Sequence, residues 1–107
     1  MNELKRGFNR DFFTVPNGIL FLGLGNSSLK LYLLFLCMLD NSHTCFPSFN
    51  FIQDKLQMGR GTISRSVKEL EEKELISVER KYNIEKGQEV NIYTVYAPVE
   101  NNLSKLM

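Results

Sequence analysis

The sequence predicts an α+β domain in which a short N-terminal strand and three helices precede a β-hairpin. Apolar residues recur every three or four positions through residues 49–73, which is typical of helices, and at every second position from Ile76, which is typical of strands. A chain of 107 residues fits one domain. We expect that domain to cover residues 12–96, between an arm at residues 1–11 and a tail at residues 97–107.

The N-terminal third is predicted to hold the short strand and the first helix. Residues 12–15 favour a strand, and the Pro-Asn-Gly sequence at residues 16–18 is a turn signal. A cluster of glycine, asparagine and serine at residues 25–28 can cap a helix that runs to about Leu39. Because this helix is apolar nearly all round, we expect it to be the most buried element, with Cys37 in the core.

Two shorter helices and the hairpin follow. Ser48 is predicted to cap a helix over Phe49–Leu56, and a third helix begins at Arg60 after a three-residue turn and runs to about Lys73. The apolar stripe of the third helix, which should face the core, consists of Ile63, Val67 and Leu70. The hairpin strands are expected at residues 76–82 and 90–96, on either side of a polar loop.

Two helices joined by a tight turn and followed at once by a hairpin outline a winged helix-turn-helix. Residues 46–95 resemble the winged-helix domains of phage and plasmid replication proteins and transcriptional regulators. The matching segments are Phe46-Pro47-Ser48, Thr62-Ile63-Ser64-Arg65, Leu70-Glu71-Glu72-Lys73, Leu75-Ile76 and Asn91-Ile92-Tyr93-Thr94-Val95. The resemblance implies binding to the DNA of plasmids, phages or other mobile elements.

Three positions depart from the pattern of that family. Gln57 stands where the family usually has a glycine, and Gly59 stands where it has a helix-capping serine. Glycine caps helices nearly as well as serine, so we expect the turn to form. Glu74 replaces the glycine that normally ends the third helix, and a positive φ at this residue would carry a modest strain.

The distribution of charge, rather than the formal net charge of +1, indicates a nucleic-acid partner. Residues 55–68 contain four basic and no acidic side chains, whereas residues 69–79 contain five acids and one lysine. The third helix therefore has a basic N-terminal half, and this is the end that recognition helices insert into the major groove. The alternative is a solvated helix in which Arg65 and Lys68 pair with acids four residues further on.

We predict a DNA-binding surface on the third helix and the hairpin. Arg65 can donate to guanine O6 and N7, Lys68 can reach a phosphate, and a phosphate would also suit Arg60 at the helix N-terminus. The hairpin and the basic arm can enter a minor groove. For the third helix, the hairpin and the arm alike, the alternative is that the charges are simply solvated. The predicted DNA-binding residues are Arg60, Thr62, Ser64, Arg65, Lys68, Arg80, Lys81, Lys86 and Gln88.

Catalytic, metal-binding and membrane functions are not predicted. No acid, base or nucleophile lies in a recognisable motif, and no glycine-rich phosphate loop follows a strand. His43 and Cys45 lie close together, but the chain has one histidine and structural zinc needs four ligands. The longest apolar run, nine residues at positions 31–39, is too short to span a bilayer as a helix. We expect a cytoplasmic protein without catalytic residues, metal or cofactor.

The expected partner is double-stranded DNA, bound by a homodimer whose contacts come from the apolar residues of the arm and the tail. The favoured role is a non-catalytic accessory factor that marks an origin of transfer or replication, with other replication or transfer proteins as further partners. Two alternatives stay open. One is a small transcriptional repressor, and the other is a winged-helix interaction module that does not bind DNA.

Overall fold

The computed structural model describes residues 13–85 and 87–98 and confirms the predicted α+β winged helix-turn-helix architecture. A 3₁₀ helix precedes three α-helices, and an antiparallel hairpin, called the wing below, follows them. The elements are the 3₁₀ helix Asn17–Phe21, α1 Asn26–Met38, β1 Thr44–Cys45, α2 Phe49–Leu56, α3 Arg60–Glu72, β2 Ile76–Asn83 and β3 Gln88–Val95. The bounds of α2 are those predicted, and α3 ends one residue earlier than expected.

The three strands form an antiparallel sheet in the order β1-β3-β2. In the wing, Ile76 pairs with Val95 and Asn83 with Gln88, so the two strands face each other along their full length. The short strand lies elsewhere than predicted, because residues 13–16 form neither helix nor strand and Thr44–Cys45 supplies the third strand.

Asp40 explains how β1 reaches the sheet. Its carboxylate accepts hydrogen bonds from the backbone N–H groups of Ser42 and Thr44, at 2.8 and 3.1 Å, in the turn that follows α1. This turn reverses the chain, so Thr44 pairs with Thr94 of β3.

The core is centred on one face of α1. Leu31, Tyr32 and Phe35 are fully buried there, and the ring of Phe35 stacks on Tyr93 of β3 with 4.4 Å between centroids. Cys37 is exposed, so its predicted place in the core is wrong. An α-helix turns by about 100° per residue, which places a residue two positions after Phe35 on the opposite side of α1.

Helix α3 packs on this core through the predicted stripe, since Ile63, Val67 and Leu70 are all buried. Gly59 caps its N-terminus, and Glu74 after its C-terminus has a φ of 59°, the positive value anticipated from the missing glycine. The turn between α2 and α3 also contains a left-handed residue, Gln57, with a φ of 55°. The turn thus forms in this chain without the usual glycine.

Candidate nucleic-acid interface

An open cleft of about 1130 Å³ separates α3 and the start of α2 from the inner face of the wing. Four of the predicted DNA-binding residues line it, namely Arg60, Ser64, Lys68 and Arg80. Acidic and aromatic residues complete its walls, among them Glu71, Glu89, Phe46, Phe49 and Tyr93. The cleft therefore has three cationic groups facing two carboxylates.

The spacing of the α3 residues explains why they share one wall. Arg60, Ser64 and Lys68 follow one another at intervals of four, so successive turns of the helix present them on the same side. Lys68 and Ser64 are exposed, which leaves their polar groups accessible to a ligand in the cleft.

Arg60 is held against α2. Its guanidinium lies 5.1 Å from the centroid of the Phe49 ring and 3.4 Å from the side-chain oxygen of Asn50. It also lies 3.5 Å from the side-chain oxygen of Gln53. These contacts orient the charge at the start of α3, where the helix dipole alone would oppose it.

Arg65 occupies the outward face of α3, away from the core. It is exposed, and its guanidinium donates to the hydroxyl of the half-buried Thr62 over 3.3 Å. The ion pair with Glu69 that the solvated-helix alternative requires is not formed, since Glu69 instead accepts from the backbone N–H of Gly25 at 3.2 Å. Arg65 is thus paired with a neutral group and keeps its charge available.

The two basic residues of β2 lie on opposite faces of the wing. Arg80 lines the cleft and lies 3.7 Å from the carboxylate of Glu71 on α3. Lys81, the next residue, is 3.5 Å from Glu79 and is not part of the cleft wall. This difference follows from the alternation of side chains along a strand.

The remaining predicted residues fall partly outside the structure. Lys86 lies outside the described residues, as do the arm and the tail beyond Pro98. The backbone of Gln88 pairs with Asn83 at the outer end of the wing, while its side chain is outside the described part of the chain. The assignment of Lys86 and of the Gln88 side chain to DNA binding therefore rests on the sequence alone.

Sequence reasoning did not assign several of the cleft residues to the site. Asn91 pairs with Arg80 across the wing, so a register for the predicted hairpin, which the sequence analysis did not assign, would have found it. Glu71 was counted among the five acids of residues 69–79, and neither Glu71 nor Glu89 was placed at the site. Apart from the Pro47 and Ser48 that follow it, nothing in the local sequence indicated that Phe46 lies in the cleft. Its position depends on the pairing of β1 with β3.

A comparison with protein families identifies the fold. The helix-turn-helix domain model matches residues 22–76, just over half of the chain. The chain belongs to the helix-turn-helix domain family. The matched segment of this helix-turn-helix protein contains α1, α2 and α3 and ends at the first residue of β2. Comparisons with curated proteins and with solved structures gave no match.

Membership of the helix-turn-helix family indicates DNA binding, and the family is typically not enzymatic. Within residues 13–85 and 87–98, no helix is long and apolar enough to cross a membrane. The same described residues bring together no group of three histidine, cysteine or acidic side chains suited to a metal ion.

Proposed function

We propose that this helix-turn-helix protein binds double-stranded DNA without catalysis and marks an origin of transfer or replication on a mobile element. The observation that carries the DNA-binding part is the convergence of Arg60, Lys68 and Arg80, from α3 and the wing, on one cleft beside the outward Arg65. The role at an origin rests on the resemblance to phage and plasmid replication proteins.

In the proposed complex, α3 enters the major groove with its N-terminal half. Arg65 donates to a guanine, while Thr62 and Ser64 offer hydroxyl groups to neighbouring base edges or phosphates. Lys68 and Arg80, on facing walls of the cleft, hold the phosphates of the strand that passes between them. Arg60 approaches the same backbone from the start of α3.

The wing takes the flanking minor groove. Lys81 and Lys86 supply charge, and Gln88 offers an amide beside Gly87, whose φ of 61° suits a tight turn at the tip. This part of the proposal rests on the sequence for Lys86 and the side chain of Gln88.

The complex is proposed to contain two protomers. The six basic residues predicted to bind DNA make a small footprint, and two half-sites about one helical turn apart would double it. The candidates for the contact, taken from the sequence alone, are the apolar residues Phe8, Phe12 and Phe13 at the N-terminus and Leu103, Leu106 and Met107 in the tail. Sedimentation of the protein alone and with DNA tests this, and a 1:1 complex on every specific site would exclude it.

Duplex binding is tested by fluorescence anisotropy with duplex DNA at several salt concentrations. If about four basic residues contact phosphates, log K falls with log salt at a slope of about −3.6, or −0.9 per contact. Salt-independent binding, or no binding at all, would instead favour the winged-helix interaction module. The net charge of +1 is low for a DNA-binding protein and supports this alternative.

The biological role is tested by selecting preferred sites from a random duplex library and mapping them onto the DNA that encodes the protein. Repeated sites beside a replication or transfer gene support the origin-marking role. A single site over the promoter of the protein's own gene supports the small transcriptional repressor instead.

A further inference from the structure

Phe46 and Phe49 form an aromatic wall of the cleft, and Phe46 has no task in the proposed duplex complex. Phe46 is exposed over 68% of its surface, and Phe49 carries the guanidinium of Arg60 over its ring. A single exposed phenylalanine needs no explanation. These two, however, line the same cleft as Lys68 and Arg80.

An intact duplex gives such rings little to bind. Its bases are stacked on one another, so a protein reaches only their edges and the sugar-phosphate backbone. A phenylalanine ring forms no hydrogen bond with a phosphate. An unpaired base, in contrast, exposes a flat face on which an aromatic ring can stack, and sites for single-stranded DNA combine aromatic side chains with a positively charged groove.

We propose that the cleft also binds single-stranded DNA, with an unpaired base stacked on Phe46 and the neighbouring phosphates held by Arg60, Lys68 and Arg80. The cleft volume of about 1130 Å³ exceeds the roughly 300–1,000 Å³ of pockets that hold whole small molecules, so a nucleotide and its neighbours fit. Asn91 and Ser64 in the wall supply hydrogen-bonding groups for the base edge.

This activity goes beyond the proposed function, because it concerns separated strands and uses the aromatic wall instead of the outward face of α3. The two ligands then share the basic residues of the cleft and differ in the residue that contacts their bases. Arg65 on the outer face of α3 contacts base edges of the duplex, and Phe46 in the cleft stacks on a base of the single strand. Each ligand therefore has its own diagnostic variant.

The test measures fluorescence anisotropy of the full chain with a labelled oligothymidine of about 12 nucleotides and, separately, with duplex DNA. Phe46→Ala should weaken oligothymidine binding about 5- to 150-fold, which corresponds to the loss of one stacked base, and leave duplex binding within about twofold. Phe46→Tyr keeps the ring and should keep the affinity for oligothymidine. Leu20→Ala is the matched control, since Leu20 is 78% exposed and does not line the cleft.

A second measurement does not depend on a substitution. Oligothymidine that contains 5-iodouracil should photocrosslink to Phe46, because an iodinated base reacts with the aromatic ring on which it stacks. Cross-links confined to residues outside the cleft would overturn the proposal.

The proposal also fails if the wild type binds duplex but no oligothymidine, or if Phe46→Ala weakens both ligands equally. Binding of oligothymidine through Phe46 without any duplex binding would support this inference while excluding the proposed function. A loss of duplex binding alone in Arg65→Ala would support both.

Discussion

The guanidinium of Arg80 and the carboxylate of Glu71 lie 3.7 Å apart, so an ion pair joins the wing to α3 across the cleft. Both side chains are accessible to solvent, and an exposed pair of this kind contributes little to stability. Its importance lies in the charge that it leaves on Arg80. In the proposed complex, Glu71 competes with a DNA phosphate for the guanidinium of Arg80.

Removing this competitor should strengthen duplex binding. In Glu71→Gln, Arg80 contacts its phosphate without first leaving a carboxylate, so we expect an affinity gain of up to about fivefold with the same number of phosphate contacts and therefore a similar salt slope. Anisotropy titrations at two salt concentrations measure both. Glu74→Gln is the control, because it removes an equal charge from a residue that does not line the cleft. Equal gains in the two variants would contradict a specific role of the pair.

Arg65 is expected to carry sequence discrimination. Arg65→Ala should lose about 1–3 kcal/mol of binding free energy on the preferred duplex and much less on a scrambled one. Lys73→Ala, at the other end of the same helix, should change both duplexes little. If Arg65→Ala binds the preferred duplex like the wild type, the hypothesis that α3 recognises the bases is wrong, and the wing recognises them instead.

Glu74 should limit the stability of the fold. The N–H of Glu74 bonds to the carbonyl of Glu71 and that of Leu75 to the carbonyl of Leu70, both at 3.0 Å, in the helix ending that usually has glycine. With a φ of 59°, a side chain there is strained by roughly 1–2 kcal/mol.

Glu74→Gly should therefore raise the free energy of unfolding by about 0.5–1 kcal/mol, after the entropic cost of glycine. Urea unfolding measures the change. Lys68→Gly, at an exposed position inside α3, should lower the free energy of unfolding by a similar amount. If Glu74→Gly is instead less stable than the wild type, the side chain of Glu74 makes a contact that stabilises the fold by more than the strain destabilises it.

Stability should fall at alkaline pH because of a buried thiol. Burial, assisted by the nearby charge of Asp40, raises the pKa of Cys45 from 9.0 to about 12. As pH rises, the unfolded chain therefore loses the thiol proton of Cys45 at a lower pH than the folded protein does. The contribution of Cys45 is complete below pH 9 and is lost as pH rises towards 12.

Urea unfolding at pH 8, 9 and 10 tests this, with a loss of about 1 kcal/mol expected from Cys45 between pH 9 and pH 10. Cys45→Ala should remove this part of the pH dependence, even though it lowers stability overall, and should leave the smaller part that comes from Tyr32 and Tyr93, whose pKa values burial also raises. Cys37→Ala removes an exposed thiol instead and should keep the wild-type slope. The same slope in Cys45→Ala and the wild type would assign the effect to other groups.

Local signals predicted most of the fold. Ser48 and Gly59 cap α2 and α3 where expected, and the change of period at Ile76 marks the start of β2. The two-residue strand β1 was missed because pairing with β3, not local propensity, defines it. Cys37 was misplaced because a helix that is apolar on every side gives no indication of which side is buried.

The candidate site was predicted only in part, for a related reason. Arg60, Ser64 and Lys68 share a helix face, so their grouping follows from spacing alone. The pairing of Arg80 with Glu71 depends instead on how the wing folds back over α3. The periodicity of a helix or a strand relates residues within one element, so it does not predict a pair that joins two elements.

Strand β2 has one further consequence, because it is at the edge of the sheet and is paired on one side only. Glu79, Arg80 and Lys81 are three consecutive exposed charges on it, and charged side chains hinder an edge strand from pairing with a second chain and aggregating. Alanine substitutions of Arg80 and Lys81 would remove the proposed DNA contacts and this barrier together. Glutamine or glutamate at the two positions would keep the edge hydrophilic, so that lost DNA binding is not confused with self-association.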